Sequence, residues 1–175
     1  MRKLKVTELN RISVEEFKEA QKLPLVVVLD NVRSVYNVGS VFRTCDAFRI
    51  ESIYICGITA QPPQVELHKT ALGAEFTVDW QYYKDIRDAV KSLQEKGYIV
   101  YSVEQAEGST MLQDLQLDKS KKYAIVMGHE VKGVQQEVVD MSDGCIEIPQ
   151  YGTKHSLNVS VTTGIVIWDL FKKLR

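Results

Sequence analysis

The sequence predicts an α/β fold with a mainly parallel sheet flanked by helices. Short apolar runs rich in β-branched residues alternate with segments of helical periodicity along the chain, and this alternation is typical of a parallel sheet. The length of 175 residues suits one domain with a single core. The chain has no internal repeat, low-complexity tract or interdomain linker, which also indicates one principal domain.

Six segments have the pattern of strands. The continuous apolar runs over residues 25–29 and 123–127 are typical of strands that are buried on both faces. Glycine, proline or polar residues bound most of the other segments, as expected at strand ends. The remaining predicted strands are residues 52–57, 75–80, 98–103 and 144–148.

The segments between these strands predict helices. Ser13 is followed three residues later by Glu16, so a capping box begins a helix over residues 13–21. A second helix runs over residues 37–48, with an apolar stripe on one side and Asn37 at its start. The other predicted helices are residues 67–72, 86–93, 134–141 and 158–173.

Composition excludes several classes of protein. The hydrophobic content of 45% and charged content of 26% are ordinary for a globular protein. No run approaches the roughly 20 apolar residues that cross a bilayer, and the N-terminus lacks the features of a signal peptide. The three cysteines are widely spaced, which indicates reduced thiols in the cytoplasm rather than disulfides or a metal site. We therefore expect a cytoplasmic protein without membrane or metal.

The overall charge gives no general attraction to nucleic acid. A net charge of −1 differs from the strongly basic surface that is typical of RNA-binding domains. Any RNA contact must come from local basic groups, and oligomerisation would enlarge the positive surface. The candidates are Arg33 with Arg43, Lys69, and Lys154 with His155.

Three polar segments follow the predicted ends of strands, where ligands bind in open α/β sheets. The first, residues 30–43, places Asn37 at a helix start and Arg43 about two turns further on. Together these side chains could grip a phosphate or orient a hydroxyl. The alternative, which the residues alone favour, is that Asn37 only caps the helix and Arg43 is solvated.

The second segment, residues 127–134, contains Gly128 and Gly133, whose spacing permits close backbone approach to a ligand. Glu130 lies between them, at a predicted helix start that stabilises its negative charge. The pattern is neither a dinucleotide fingerprint nor a phosphate loop, and a plain strand-to-helix turn explains it equally well. No second histidine or cysteine accompanies His129 at metal-binding spacing, so a surface position is expected for it.

The third segment, residues 148–161, joins a strand to the last helix. Ser156 and Asn158 are too close for both to cap this helix, so one of them has side-chain chemistry left over. The loop backbone could also pair with a flat heterocycle. The alternative is a simple capped helix in which Ser156 satisfies free amides. The helix is apolar on more than one face, which indicates a homodimer interface besides a core contact.

Together these segments resemble the SpoU/TrmH branch of the SPOUT methyltransferases. The matching patterns, in order, are Asn-x-Gly-x-x-x-Arg, Gly-x-Glu-x-x-Gly-Val, and Ile-Pro followed by Ser-Leu-Asn-Val-Ser-Val. Residues 70–74 add to the similarity, which extends from about Leu25 to the last helix. It divides the chain into a short N-terminal extension, residues 1–24, and a SpoU-type methyltransferase domain, residues 25–175.

The resemblance implies S-adenosyl-L-methionine as cofactor and transfer of its methyl group to a ribose 2′-hydroxyl of RNA. It also implies a homodimer and a C-terminal trefoil knot, which is a rare exception to unknotted topology. Among RNAs, tRNA is favoured over ribosomal RNA. The alternatives are a ribosomal RNA 2′-O-methyltransferase and a non-catalytic knotted module that binds RNA or the cofactor. An ordinary nucleotide-binding enzyme would need a phosphate loop, which is missing.

The site residues are also implied by the resemblance. Arg43 would position and activate the hydroxyl, and Glu130 would fix either Arg43 or the loop geometry. The remaining reaction-site residues, which would orient the hydroxyl and the methionine end of the cofactor, are Asn37, Ser156 and Asn158. The implied cofactor contacts are Ser102, Val103, Gly128, Ile148 and Leu157.

Overall fold

A parallel sheet of seven strands forms the centre of the computed structural model, which describes all 175 residues. Every pair of neighbouring strands is parallel, so the predicted mainly parallel α/β sheet is confirmed. The strands are β1 (Leu23–Asp30), β2 (Ile50–Cys56), β3 (Asp79–Tyr83), β4 (Tyr98–Val103), β5 (Thr110–Met111), β6 (Lys122–Met127) and β7 (Gly144–Glu147). Their order across the sheet is β3-β2-β1-β6-β4-β7-β5.

Helices cover both faces of this sheet. They are α1 (Val14–Glu19), α2 (Val35–Ala47), α3 (Val65–Ala71), α4 (Ala74–Thr77), α5 (Ile86–Glu95), α6 (Gln136–Met141) and α7 (Val159–Leu174). Helices α1 to α4 and α7 contribute to the core on one face, whereas α5 and α6 contribute to the core on the other. None of them combines the length and hydropathy that crossing a lipid bilayer requires.

The centre of the sheet explains the two continuous apolar runs. Strand β1 lies between β2 and β6, and all its residues from Leu25 to Leu29 are buried. Tyr123 to Met127 of β6 are buried as well. Both faces of these strands are covered by helices, so neither face needs polar residues.

The prediction of a strand over residues 75–80 is wrong in its first part. Ala74–Thr77 form helix α4, and the strand begins only at Asp79. Gly73 precedes this helix in a left-handed conformation, and its N–H donates to Glu75 Oε2 at 3.0 Å. This tertiary arrangement overrides apolar residues that also suit a strand.

The N-terminal extension packs against the rest of the chain. The predicted capping box is confirmed, because Glu16 N donates to Ser13 Oγ at 3.1 Å and Ser13 N donates to Glu16 Oε2 at 2.7 Å. Phe17 of the same helix is buried in the core. The division between residues 24 and 25 stays a prediction.

Candidate active site

A cavity of about 520 Å³ opens at the carboxyl ends of β4, β6 and β7. Residues of the loops that follow these strands, together with the start of α7, form its wall. The volume is typical of small-molecule sites, and the position is the one at which parallel α/β sheets bind ligands. Four of the predicted cofactor contacts line it: Val103, Gly128, Ile148 and Leu157.

Ser102, the fifth predicted cofactor contact, does not line this cavity. Its side chain is fully buried, and its Oγ lies 2.8 Å from Ser142 Oγ. Ser102 lies one residue before the end of β4, and its hydroxyl is bonded to that of Ser142 inside the fold. The physical reason for the difference is therefore that this side chain is directed into the interior and not to the cavity at the strand end.

The loop after β6 folds back on itself. The N–H of His129 donates to Gly133 O at 3.1 Å, and the N–H of Gly133 donates to His129 O at 2.8 Å. A Cβ on Gly128 would lie 2.2 Å from the carbonyl carbon of Gly133. The two glycines therefore allow the two ends of the loop to approach each other closely. The loop between them presents its backbone to the cavity.

His129 is used within this loop and is half-buried rather than fully on the surface. Its Nδ1 accepts hydrogen bonds from the N–H groups of Val131 at 3.0 Å and Lys132 at 3.3 Å. An imidazole nitrogen that accepts two amides is not available as a metal ligand. No group of three or more His, Cys, Asp and Glu side chains is arranged to hold a metal ion.

Glu104 ties the loop after β4 to the loop after β6. Its Oε2 accepts from Val134 N at 2.9 Å, and its Oε1 accepts from Gln105 N at 2.8 Å. Gly133 has a φ of +67°, and a Cβ there would lie 2.0 Å from Glu104 Oε2. Sequence reasoning missed Glu104, because no local pattern links it to a loop about 30 positions away.

Glu130 joins the loop after β6 to the loop after β1. Its Oε2 accepts from Arg33 N at 2.9 Å, and its Oε1 accepts from Ser34 N at 2.9 Å and from Asn37 Nδ2 at 3.2 Å. The two roles implied for Glu130 were contact with Arg43 and control of loop geometry. The hydrogen bonds in the structure are those of the second role.

These hydrogen bonds control the ionisation of Glu130. Partial burial raises its pKa, but the hydrogen bonds from the amides of Arg33 and Ser34, and from Asn37, outweigh burial and hold the pKa below its usual range. A carboxylate with a lowered folded-state pKa stabilises the fold above its unfolded pKa. That contribution is lost as the pH falls through the folded-state pKa.

We therefore expect Glu130→Gln to lower the free energy of unfolding at neutral pH by about 1 kcal/mol. The difference should shrink as the pH falls through the folded-state pKa, because the wild-type carboxylate then also becomes protonated. Thermal unfolding of both proteins at neutral pH and in acid measures this. The exposed Glu107→Gln serves as control, and a Glu130→Gln difference that is unchanged in acid would contradict the role of the carboxylate.

Asn37 and Asn158 meet across 121 positions of sequence. Nδ2 of Asn158 donates to Oδ1 of Asn37 at 3.2 Å, and Oγ of Ser160 donates to the same oxygen at 3.5 Å. Since Glu130 accepts from the Nδ2 of Asn37, a continuous hydrogen-bonded chain links the loop after β6, α2 and α7. Ser160 was not predicted as a site residue, although it is the second serine of the Ser-Leu-Asn-Val-Ser-Val pattern, which could have indicated it.

The helix caps differ from those predicted. Asn37 does not begin α2: Ser34 is the N-cap and accepts from Asn37 N at 3.3 Å. The side-chain amide of Asn37 is therefore free for its three partners, Glu130, Asn158 and Ser160. Asn158 caps α7 by accepting from the N–H groups of Ser160 and Val161. Ser156 is exposed and lines the cavity. The surplus side-chain chemistry therefore belongs to Ser156, and the alternative in which it caps the helix is wrong.

Arg43 lies apart from the cavity. It is exposed on α2, in a shallow surface pocket that also includes Ser40 and Lys69. On a helix, Arg43 and Asn37 point about 120° apart, with Ser40 between them. The structure thus brings Asn37, Glu130 and Asn158 together and places Ser156 at the cavity, but Arg43 stands outside this group.

The cavity wall combines apolar side chains with free backbone groups. The backbone amides and carbonyls of Ile148 and Leu157 have no hydrogen-bond partner within the chain. Val103 and Ile146 add apolar surface. A flat heterocycle fits such a wall, since its faces contact apolar side chains and its polar edge pairs with backbone groups.

Comparison with known proteins identifies relatives of this chain. Residues 24–168 match the model of the SpoU rRNA Methylase family. The tRNA (guanosine(18)-2′-O)-methyltransferase of Thermus thermophilus is 30% identical over 163 residues, which are 93% of this chain and 82% of that protein. The protein of the same name from Aquifex aeolicus is 28% identical over 159 residues, or 89% of this chain and 72% of that one.

Solved structures agree with these relatives. The TrmH/SpoU tRNA modifying enzyme of A. aeolicus has a TM-score of 0.79 at 27% identity and covers 91% of this chain and 79% of its own. The AdoMet-bound rRNA methyltransferase from Sinorhizobium meliloti has a TM-score of 0.80 at 27% identity, over 91% of this chain and 60% of its own. The fold and the site thus define an RNA methyltransferase. The chain belongs to the SpoU rRNA Methylase family, which confirms the family predicted from its motifs.

Proposed function

We propose that the protein transfers the methyl group of S-adenosyl-L-methionine to a ribose 2′-hydroxyl of RNA, with tRNA favoured over ribosomal RNA. The hydrogen-bonded chain of Glu130, Asn37 and Asn158 beside the cavity is the observation that carries this function. Relatives that are 30% and 28% identical are named tRNA 2′-O-methyltransferases, which supports tRNA as substrate. The predicted class of enzyme is confirmed.

S-adenosyl-L-methionine is the cofactor, as predicted, and a SpoU-family relative has been solved with it bound. The cavity fits this molecule. Ile148 and Leu157, whose backbone groups are free, would hold the polar edge of its adenine, and Val103 and Gly128 lie in the same wall. When bound, the cofactor supplies a methyl group that a positively charged sulfur activates.

The side chains of the site act on the ribose. A ribose hydroxyl is a poor nucleophile, and its proton must leave as it attacks. The guanidinium of Arg43 stays protonated, so it acts by donating hydrogen bonds to the hydroxyl or a neighbouring phosphate rather than as a base. Since Arg43 lies outside the cavity, the RNA must extend across α2 to meet it.

Asn37, Ser156 and Asn158 orient the reacting groups. Glu130 accepts from the Nδ2 of Asn37, and Asn158 donates to its Oδ1, so the Asn37 amide has one defined orientation. Fixed polar groups of this kind hold the hydroxyl in line with the methyl group. This alignment supplies much of the rate acceleration.

We also propose a homodimer that forms through an exposed face of α7. Val161, Ile165 and Trp168 lie along one side of the helix and are 52%, 38% and 51% exposed, whereas Val166, Ile167 and Leu170 are fully buried. A second chain would cover this apolar stripe, as symmetric oligomers do. Because α7 begins beside the cavity, the seam between two chains would lie close to the reaction site.

Ile165→Arg is expected to separate such a dimer, because a symmetric seam would bury two introduced charges, one from each chain. Sedimentation velocity should then change from the mass of two chains to that of one chain of 19.9 kDa. Val65→Arg, at an exposed apolar residue of α3, is the control and should sediment like the wild type. A wild-type protein that sediments as one chain would contradict the dimer.

The proposal also includes a C-terminal knot, the division of the chain into an extension and a domain, and the cellular location of the protein. Strand β6 lies between β1 and β4, and β7 lies between β4 and β5. This order is compatible with a knotted C-terminal part, which the family resemblance implies. We take residues 25–175 as the methyltransferase domain and place the protein in the cytoplasm, with its RNA substrate.

One assay tests the function. The protein is incubated with S-adenosyl-L-methionine labelled in its methyl group and with separate pools of tRNA and ribosomal RNA, which are then digested to nucleosides. Label in a 2′-O-methyl nucleoside of the tRNA pool is the expected result. Label only in ribosomal RNA would overturn the choice of substrate. Tight cofactor binding without transfer to either pool would favour the non-catalytic module.

A further inference from the structure

The loop between β7 and α7 exposes an aromatic ring at the rim of the cavity. Tyr151 is 96% exposed, so its ring contributes almost nothing to the core. Its neighbour Gln150 lines the cavity, and so does His155 near the other end of the loop. A ring that is left in water beside a binding cavity has its faces available for a ligand.

This loop is anchored at its C-terminal end. The Nε2 of Gln105, in the loop after β4, donates to the carbonyl of His155 at 2.6 Å. Three residues further on, Asn158 caps α7 and bonds to Asn37. The loop that carries Tyr151 is therefore joined at this end to the framework of the proposed reaction site.

Basic side chains of the same rim lack acidic partners. Arg33, Lys132 and Lys154 are exposed, and none takes part in the ion pairs of the protein. The nearby carboxylate of Glu130 is directed to backbone amides and Asn37. Lys132, which lines the cavity, and the exposed Arg33 and Lys154 are thus free to bind phosphates, although Glu104, Glu130 and Glu147 also line the cavity and the chain as a whole has a net charge of −1.

We propose that Tyr151 stacks on an unpaired base of the RNA, and that Lys132 and Lys154 bind the phosphates that flank it. This inference rests on the proposed function and narrows its substrate to RNA in which the methylated ribose lies in a loop or single strand. In a duplex, both faces of a base are already stacked, whereas bases of loops are free to stack on aromatic side chains. Tyr151 then contributes to the choice of substrate.

The test compares Tyr151→Ala with Tyr151→Phe. The probe is a fluorescein-labelled RNA hairpin with an unpaired loop, and a blunt RNA duplex is its counterpart; binding is followed by fluorescence anisotropy. Tyr151→Ala should weaken hairpin binding by about 5-fold or more, which is the lower end of base stacking on an aromatic side chain. Tyr151→Phe keeps the ring and should bind like the wild type.

Two further variants sharpen the test. Phe76→Ala removes a ring that is 60% exposed on α4, and it should leave hairpin binding unchanged. Lys132→Gln combined with Lys154→Gln removes two phosphate contacts. The slope of log affinity against log salt should therefore become shallower by about 1.4 for a single strand.

The possible results separate the proposals. Equal hairpin binding by wild type and Tyr151→Ala, equal binding of hairpin and duplex by the wild type, or an equal loss in Tyr151→Phe would each overturn the stacking role. A changed sedimentation mass of Tyr151→Ala would overturn it too, since Tyr151 would then belong to a seam between chains. If hairpin binding depends on Tyr151 but no methyl is transferred, the proposed function is wrong, whereas the proposed stacking of Tyr151 on an unpaired base is supported.

Discussion

Arg43→Ala is expected to abolish methyl transfer to RNA while the affinity for S-adenosyl-L-methionine stays nearly unchanged. Arg43 is exposed and does not line the cavity, so its removal alters neither the wall of the cavity nor the core. It does remove the cation proposed to hold the hydroxyl or a neighbouring phosphate. Loss of one such charge-assisted donor lowers the rate by at least about 100-fold. Transfer to bulk tRNA and calorimetric binding of S-adenosylhomocysteine measure the two quantities.

Arg11→Ala is the matched control for this variant. Arg11 is an exposed arginine of the N-terminal extension, and its loss should leave both transfer and cofactor binding intact. Loss of cofactor affinity in parallel with activity in Arg43→Ala would show that Arg43 supports the cavity. Its proposed role at the ribose would then be wrong.

Gly128→Ala should have the second largest effect, on cofactor binding itself. The added Cβ would lie 2.2 to 2.3 Å from backbone atoms of Gly133 and Val134, so the two ends of the loop after β6 must move apart. Overpacking of this kind costs about 1–3 kcal/mol of stability. Because the moved loop is a wall of the cavity, we expect cofactor affinity to fall by about 100-fold, or 2.8 kcal/mol.

Gly152→Ala tests whether this effect is specific to Gly128. Gly152 lies in the loop after β7, and a Cβ there would meet nothing within 4 Å. Calorimetry with S-adenosylhomocysteine and thermal unfolding should therefore resemble the wild type. Wild-type cofactor affinity in Gly128→Ala would mean that this loop does not form the cofactor wall.

The parts of the fold that could be predicted are those with local signals. The apolar runs of β1 and β6 and the capping box of Ser13 and Glu16 are complete within a few residues. Strand β5 has only the two residues Thr110–Met111, which is too short for any periodicity. Helix α4 also escaped prediction, because its turn depends on the conformation of Gly73 and the contacts of Glu75.

Prediction of the site was also limited to signals that lie close together in the sequence. The motifs indicated Asn37, Glu130 and Asn158 as residues of one site, and the structure brings these three together. Their partners Ser34 and Ser160 could not be derived, because the contacts to Glu130 and Asn37 span 96 and 123 positions of the chain. Glu104, which ties the loops after β4 and β6 together, was missed for the same reason. Ser102 differs for a simpler reason: its side chain is buried, and its hydroxyl is bonded to that of Ser142.

The hydrogen bond between Asn37 and Asn158 has a consequence for the chain during its synthesis. Asn37 is made early, whereas Asn158 lies at the start of the last helix, 121 positions later. Contacts between such distant residues form late in folding, since a long loop must close first. A stalled or shortened chain would therefore lack Asn158, one of the groups that we propose to orient the ribose. We expect only a nearly finished chain to be able to modify RNA.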